Sequence, residues 1–315
     1  MIRELTVAAA QLGPVGRHEP RAAVVGRMID LLHRAKAEGV ELAVFPEMAL
    51  TTFFPRWLIE DEAEVAGFFE TEMPGPETRP LFETAAALGI GFYLGYCEAV
   101  EQAGASRRYN SSILVGADGR ILGKYRKVHL PGNAVYDPAL KLQHLEPHYF
   151  EPGDLGFPVW QAFGGRVGMC ICNDRRWPET YRVMGLQGVE LILLGYNSPA
   201  ELPDMPGMDR HRSLHHLLPM QAGAHQNGAW VIASAKAGHE EGCDMMGESC
   251  VVAPTGEVVA LAATLGDELV MRRIDLDATA QAKLFFDFGT YRRPECYGLI
   301  TERRAAGPPL GEGED

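Results

Sequence analysis

The stretch RVGMCICNDRRWPE, residues Arg166–Glu179, decides how the chain is read. It starts as an apolar run with the length and residue types of a buried strand, then turns at once to Cys172-Asn173-Asp174-Arg175-Arg176. A strand that only fills a core has no use for a thiol beside two guanidiniums, whereas one that presents a nucleophile to an anionic ligand does. Cys170 and Cys172 are two apart, so on a strand both point to the same face and alternation does not choose between them. Position does: Cys170 lies inside the apolar run, and Cys172 is its last residue, at the edge a substrate can reach. The C-x-C spacing also suits a metal or redox pair, but no second cysteine cluster completes a tetrahedral site.

Outward from this stretch the pattern is layered α/β. Toward the C-terminus come a helix from near Pro178 to Gly188, the buried strand VELILLGY (Val189–Tyr196), and a helical region from about His211 to Gln226. AWVIASA (Ala229–Ala235) follows, then CVVAPTGEVVALAAT (Cys250–Thr264), a hairpin turning at Thr255-Gly256. Toward the N-terminus, LTVAAAQ (Leu5–Gln11), an amphipathic segment from Pro20 to Glu38 and VELAVFPE (Val40–Glu47) give strand, helix, strand. A helix over Pro76–Leu88 capped by Gly89, the strand IGFYLGYCEAV (Ile90–Val100) and a hairpin over Asn110–Lys127 turning at Asp118-Gly119 complete that half. The two hairpins echo each other, a weak sign of two similar halves. Between His129 and Gly156 the sequence is irregular and rich in Pro and Gly, and a loop of that length inside a compact domain is usually functional or a sign that an element has been misassigned. The chain reads as one domain over 1–302 with a flexible, Gly- and Pro-rich tail over 303–315.

The bulk numbers narrow the partner. The 315 residues are 46% hydrophobic with a formal charge of −13, which supports a sizeable core and argues against nucleic acid or an anionic membrane as partner. A small molecule is expected. The six cysteines follow no dense spacing, Met1-Ile2-Arg3-Glu4 does not read as a signal peptide, and no apolar run is long enough to span a bilayer. Reduced thiols in the cytoplasm are therefore expected.

Glu47, Lys127 and Cys172 each end an apolar run, and in open α/β sheets ligands gather at strand ends. Their types fit one reaction. An ordinary thiol is only a few per cent ionised at neutral pH, so a cysteine nucleophile needs a base, which a glutamate supplies. An ammonium can steady the oxyanion formed when the thiolate attacks a carbonyl. Asn197 and Ser198, after VELILLGY, sit at another strand end and are expected to line the same pocket. Arg175 and Arg176 suit a carboxylate, which guanidinium binds in fixed geometry; the plainer reading pairs them with Asp174 and Glu179 at the surface. His211 and His215 are four apart, as a metal site would want, but no acid lies between them and packing is the better reading.

FPE (Phe45–Glu47), KYRKVHLPG (Lys124–Gly132) and CNDRRWPE (Cys172–Glu179) together resemble the Glu–Lys–Cys signature of the nitrilase superfamily of carbon–nitrogen hydrolases. More narrowly, ALTTFFPRW, EMPGP, HLE with YFEPGDLGFPV, RVMGLQG, HHLLPMQAG, QNGAW and VAPTGE are similar to the N-carbamoyl-D-amino acid amidohydrolases. The resemblance implies a four-layer α-β-β-α sandwich, assembled as a homodimer or homotetramer, that uses no cofactor and no metal. It makes Glu47 the general base, Lys127 the oxyanion stabiliser, Cys172 the nucleophile and Glu146 a second glutamate that positions Lys127. It places His129 and His144 near the pocket, lets the backbone N–H of Asn173 join the oxyanion hole, and gives one or both of Arg175 and Arg176 the substrate's carboxylate. Ser198 stands where a threonine is common, and the loop Asn133–Leu142 departs from the family's pattern. The implied reaction is hydrolysis of an N-carbamoyl-D-amino acid to the D-amino acid, ammonia and carbon dioxide, with another superfamily amidase, such as a β-ureidopropionase or aliphatic amidase, as the alternative. A non-catalytic binding protein and a cysteine-based redox sensor are the readings from other classes.

Overall fold

The protein is described from a computed structural model covering residues 2–307. Two six-stranded sheets lie face to face. The first holds β1 (Glu4–Gln11), β2 (Leu42–Val44), β3 (Gly91–Gln102), β4 (Ala105–Val115) and β5 (Ile121–Arg126). The second holds β6 (Val159–Ala162), β7 (Gly165–Ile171), β8 (Leu191–Tyr196) and β9 (Trp230–Ala235). A two-stranded ribbon, β10 (Ala237–Glu240) and β11 (Cys243–Met246), precedes β12 (Cys250–Val252) and β13 (Val258–Leu261) of the second sheet, and β14 (Glu268–Asp275) returns to the first. The orders are β14-β1-β2-β3-β4-β5 and β13-β12-β9-β8-β7-β6.

The central strands of each sheet are parallel and buried on both faces, so they read as continuous apolar runs rather than alternating ones. In β1, Leu5, Val7 and Ala9 join the core shared with the second sheet, while Ala8 and Ala10 join the core under the outer helices. Of the helices, α1 (Arg21–Ala37), the short α2 (Glu62–Gly67) and α3 (Arg79–Leu88) follow strands of the first half. Val24, Val25, Met28, Leu31, Leu32 and Ala35 are the buried stripe of α1, at the spacing one helical face requires. The short α4 (Glu146–Tyr149) lies in the irregular stretch, and α5 (Pro178–Leu186) and α6 (Arg212–Asn227) cover the second sheet through Tyr181, Met184, Met220 and Ala224. Near the C-terminus are α7 (Ala278–Phe286) and α8 (Gly298–Glu302). Helix, sheet, sheet, helix is the expected sandwich.

The echo between the hairpins is structural. Strand, helix, strand, helix, strand and hairpin occur in the same order in both halves, ending in β4–β5 and in β12–β13, with the ribbon as an insertion in the second. Each sheet then gains one antiparallel edge strand, β14 against β1 and β6 against β7. Of the tail expected over 303–315, residues 303–307 are exposed, and 308–315 lie outside the described residues.

Candidate active site

Four strand ends meet between the sheets: Glu47 just beyond β2, Lys127 after β5, Cys172 after β7 and Asn197 after β8. Glu47 is placed by backbone packing. A Cβ on Gly95 of β3 would stand 2.7 Å from the Glu47 Cα, and one on Gly195 of β8 would stand 2.5 Å from the Glu47 nitrogen. Only glycine lets the two strands close on the Pro46-Glu47 segment, and Asn197 completes the hold by donating its N–H to Glu47 Oε2 (2.9 Å) and its Nδ2 to the Glu47 carbonyl (2.8 Å). We expect Gly195→Ala to displace that carboxylate and to lower kcat/KM by about 10²-fold, the usual cost of a misplacement near 1 Å. Steady-state kinetics on a variant with an unchanged circular dichroism spectrum check this.

Lys127 is buried with two carboxylates around it. Its Nζ lies 2.7 Å from Glu47 Oε1 and 2.7 Å from both Glu146 oxygens. Asn110 Nδ2 bridges the same pair, at 2.8 Å from Glu47 Oε1 and 3.3 Å from Glu146 Oε2. His144 Nε2 sits 3.1 Å from Glu146 Oε1, with its ring edge-on to Phe53. Leu145, next to that glutamate, donates its N–H to the Pro55 carbonyl at 2.8 Å, and a Cβ on Gly132 would meet the His144 oxygen at 1.7 Å. The irregular loop is thus pressed against the site at fixed points.

Burial drives the Glu47 carboxyl above the ordinary range, with Lys127 opposing and Glu146 adding to the rise. Burial also pushes Glu146 upward, but Lys127 and His144 outweigh it and hold that carboxyl below its usual value. Burial opposes the charge of Lys127, and the two glutamates more than restore it, so its ammonium stays charged. The Cys172 thiol is raised first by burial and then by Glu47, against the pull of Lys127 and Arg175. The site thus favours a neutral Cys172 thiol and raises the basicity of Glu47, the pairing that general base catalysis of a thiol uses.

Cys172 is not the last residue of its strand. β7 stops at Ile171, and Cys172 opens a tight turn with φ 46°, a backbone conformation uncommon for a residue with a side chain. The turn is held by Asp174. Fully buried, it accepts from the Ile171 N–H (3.0 Å), the Tyr125 hydroxyl (2.7 Å) and the His129 N–H (2.9 Å), with His129 Nδ1 at 2.8 Å. The turn separates the two thiols that alternation could not: Cys170 is completely buried, and Cys172 keeps 5% of its surface exposed. Cys172 Sγ lies 3.4 Å from the Asn197 carbonyl oxygen, so one asparagine touches both Glu47 and the sulfur.

The surface ion pairs that the plainer reading gave the arginines are not formed. Arg175 is fully buried: its Nη1 donates to the Cys172 carbonyl (2.8 Å) and lies 3.8 Å from the sulfur, and its Nη2 meets Ser198 Oγ (3.0 Å) and His216 Nδ1 (3.2 Å). Arg176 is exposed and donates to the His215 carbonyl at 3.2 Å. His129 is held by Asp174 and stacks on Trp177, so its ring braces the turn. Asn173 is half-buried and spends its Nδ2 on the His129 carbonyl. Ser198 is buried against Arg175.

Asn110, Asp174 and His216 were not singled out in the sequence. Asn110 was within reach, because a hairpin turning at Asp118-Gly119 sets Ser111 opposite Arg126 and brings the Asn110 carbonyl onto the Lys127 N–H at 2.8 Å. Among the described residues, no group of three or more His, Cys, Asp or Glu is placed to hold a metal ion, and no helix is long and apolar enough to cross a membrane.

Comparisons with known proteins give the family and the fold. Residues 6–284 match the family model described as carbon-nitrogen hydrolase. The chain is 28% identical to an N-carbamoylputrescine amidase of Solanum lycopersicum over 97% of its own length and 98% of the relative's. It is 34% identical to a citrullinase of Francisella tularensis over 62% of this chain and 66% of that one. The fold matches a carbon-nitrogen hydrolase from Helicobacter pylori G27 with a TM-score of 0.81 and 23% identity, covering 96% and 99% of the two chains. Neither named enzyme is a D-carbamoylase. With the model spanning most of the sequence and the sandwich reproduced, the chain belongs to the carbon–nitrogen hydrolase family.

Proposed function

We propose that the protein hydrolyses the ureido group of a carboxylate-bearing N-carbamoyl compound through a cysteine-bound intermediate. Glu47 takes the Cys172 proton, and the sulfur attacks the ureido carbonyl while Lys127 faces the developing oxyanion. The C–N bond breaks as the leaving nitrogen receives the proton from Glu47. A water deprotonated by Glu47, with Glu146 holding Lys127 in place, then cleaves the sulfur–carbon bond. The carbamate released falls apart to carbon dioxide and the remaining amine. The observation that carries the chemistry is the buried Glu47–Lys127–Glu146 cluster joined through Asn197 to the Cys172 sulfur.

The ureido group is supported by the relatives: one is named for a carbamoyl compound, and citrulline carries the same group. Asn110 Oδ1 and Asn197 Oδ1 are buried without a partner, a need that a substrate N–H can meet. The carboxylate is supported by the Arg175 guanidinium 3.8 Å from the sulfur, which the ammonium of a carbamoylated diamine would find repulsive. The relatives favour the wider amidase reading over a D-carbamoylase; specialisation for α-carbamoyl D-amino acids rests on the sequence motifs, and a β-ureido acid fits the same cations. Incubating the protein with racemic N-carbamoyl-phenylalanine, 3-ureidopropionate, N-carbamoylputrescine and a neutral aliphatic amide separates these readings. Turnover of the two acids is expected, with the released amino acid resolved for handedness. Hydrolysis confined to N-carbamoylputrescine or the neutral amide sinks the carboxylate reading.

A further inference from the structure

The cations around Cys172 outnumber the charge of one carboxylate. Besides Arg175 and Arg176, the half-buried Arg212 at the start of α6 places Nη2 2.6 Å and Nε 3.2 Å from the Pro199 carbonyl. Pro199 is the neighbour of Ser198, which Arg175 holds, and Arg176 donates to His215 in the first turn of that same helix. The guanidiniums therefore form one rim, running from the sulfur through Ser198-Pro199 to the α6 N-terminus, where the helix dipole adds further positive potential.

None of them is in an ion pair with a described residue. The acids whose fields reach Arg212 are otherwise engaged: Asp209 Oδ1 accepts from the Leu202 N–H at 2.8 Å, and Glu248 Oε1 accepts from the Ser213 hydroxyl. Glu248 Oε2 is buried without a partner, and it does not reach the guanidinium. Desolvation, with the charge of Arg175 adding to it, holds the half-buried Arg212 guanidinium below its usual value, and Arg175 repels Arg176 as well. An anion on the rim would relieve that repulsion. A substrate with one carboxylate answers Arg175 and Arg176 and leaves Arg212 with the fields of Asp209 and Glu248 but no ion-pair partner among the described residues. Arg175 further keeps a buried Nε without a partner.

We infer that the preferred substrate is dianionic, an N-carbamoyl amino acid whose side chain carries a second carboxylate that Arg212 receives. This rests on the ureido-hydrolase reading above and narrows its substrate class. Aspartate and glutamate differ from asparagine and glutamine by charge at nearly constant shape, which isolates the effect of Arg212.

The test measures amino acid release from racemic N-carbamoyl-aspartate, -asparagine, -glutamate and -glutamine by the wild type, Arg212→Met and Arg212→Lys. For the better acid–amide pair, the wild-type ratio of kcat/KM is expected to favour the acid by at least about tenfold, with the preference carried by KM. Arg212→Met should collapse that ratio toward unity, and Arg212→Lys should restore part of it. A brace for the Pro199 loop would instead lower acid and amide alike and leave the ratio alone. A wild-type preference for the amides, or a ratio unmoved in Arg212→Met, overturns the inference while leaving ureido hydrolysis standing. No release from any carbamoyl amino acid overturns the function beneath it as well.

Discussion

Cys172→Ala is expected to abolish hydrolysis, with kcat falling by about 10⁴-fold or more, the scale seen when a covalent nucleophile is removed from a site that acts as a unit. The fold should survive. Cys172 belongs to the inter-sheet core, but alanine there loses only the sulfur and meets the same left-handed backbone strain, so stability should fall by on the order of 1 kcal/mol. Cys170→Ala is the matched control. Its thiol is completely buried in the inter-sheet core, its titration is driven far up by that burial, and nothing connects it to Glu47 or Lys127. That variant should keep its activity and lose only packing, on the order of 1 kcal/mol. Turnover and urea denaturation of both variants decide the matter. Hydrolysis retained in Cys172→Ala would leave a redox-responsive thiol or a binding role as the better account, and loss in Cys170→Ala alone would show that the wrong sulfur had been chosen.

What the sequence disclosed and what it concealed follow from the range of the interactions. The parallel strands were legible because burial on both faces writes a plain apolar run, as in Leu191–Tyr196. The helices around Arg21–Ala37 and Arg79–Leu88 were legible from periodicity and from glycines that end them, Gly39 at φ 75° and Gly89 at φ 63°. β14 was not read, because its alternation is interrupted by Met271, Arg272 and Arg273, and its partner β1 is nearly the whole chain away. Within the site, Glu47, Lys127 and Cys172 stood out because each is a reactive type at the end of a run. Asp174 did not. An acid next to two arginines reads as their surface partner, and only the fold reveals that it faces inward to Tyr125, His129 and its own strand end while the arginines turn the other way. Left-handed backbone at Cys172 was equally hidden, since cysteine carries no preference for it.

Lys127→Met should cost both activity and stability, and the way the second loss varies with pH identifies its origin. Removing the ammonium takes away the donor that the proposed mechanism aims at the oxyanion, a change worth about 10²–10³ in kcat. It also leaves Glu47 and Glu146, both fully buried, facing each other with no cation between them. Breaking a buried pair in this way costs about 3–5 kcal/mol, because a charge is left uncompensated. The stranded carboxylates answer by holding a proton. In the unfolded chain both titrate near the ordinary 4.5, whereas in the folded variant burial and mutual repulsion raise them with no lysine to pull them back. Above 4.5 the native state therefore binds more protons than the unfolded one, and stability falls as pH rises through the folded values. In the wild type Glu47 already contributes in that sense, restrained by Lys127, while the lowered Glu146 works in the opposite one, adding stability above the unfolded value that is lost only in acid. Denaturation series between about pH 5 and 8 should thus diverge, with the variant losing ground on the wild type toward neutral pH. Adding Glu47→Gln to Lys127→Met removes one of the opposed charges and should recover part of the stability without recovering turnover, a coupling that a double-mutant cycle reads directly. Stability of Lys127→Met that parallels the wild type at every pH would mean that the two carboxylates do not share this ammonium, and the proton inventory built on it would fall.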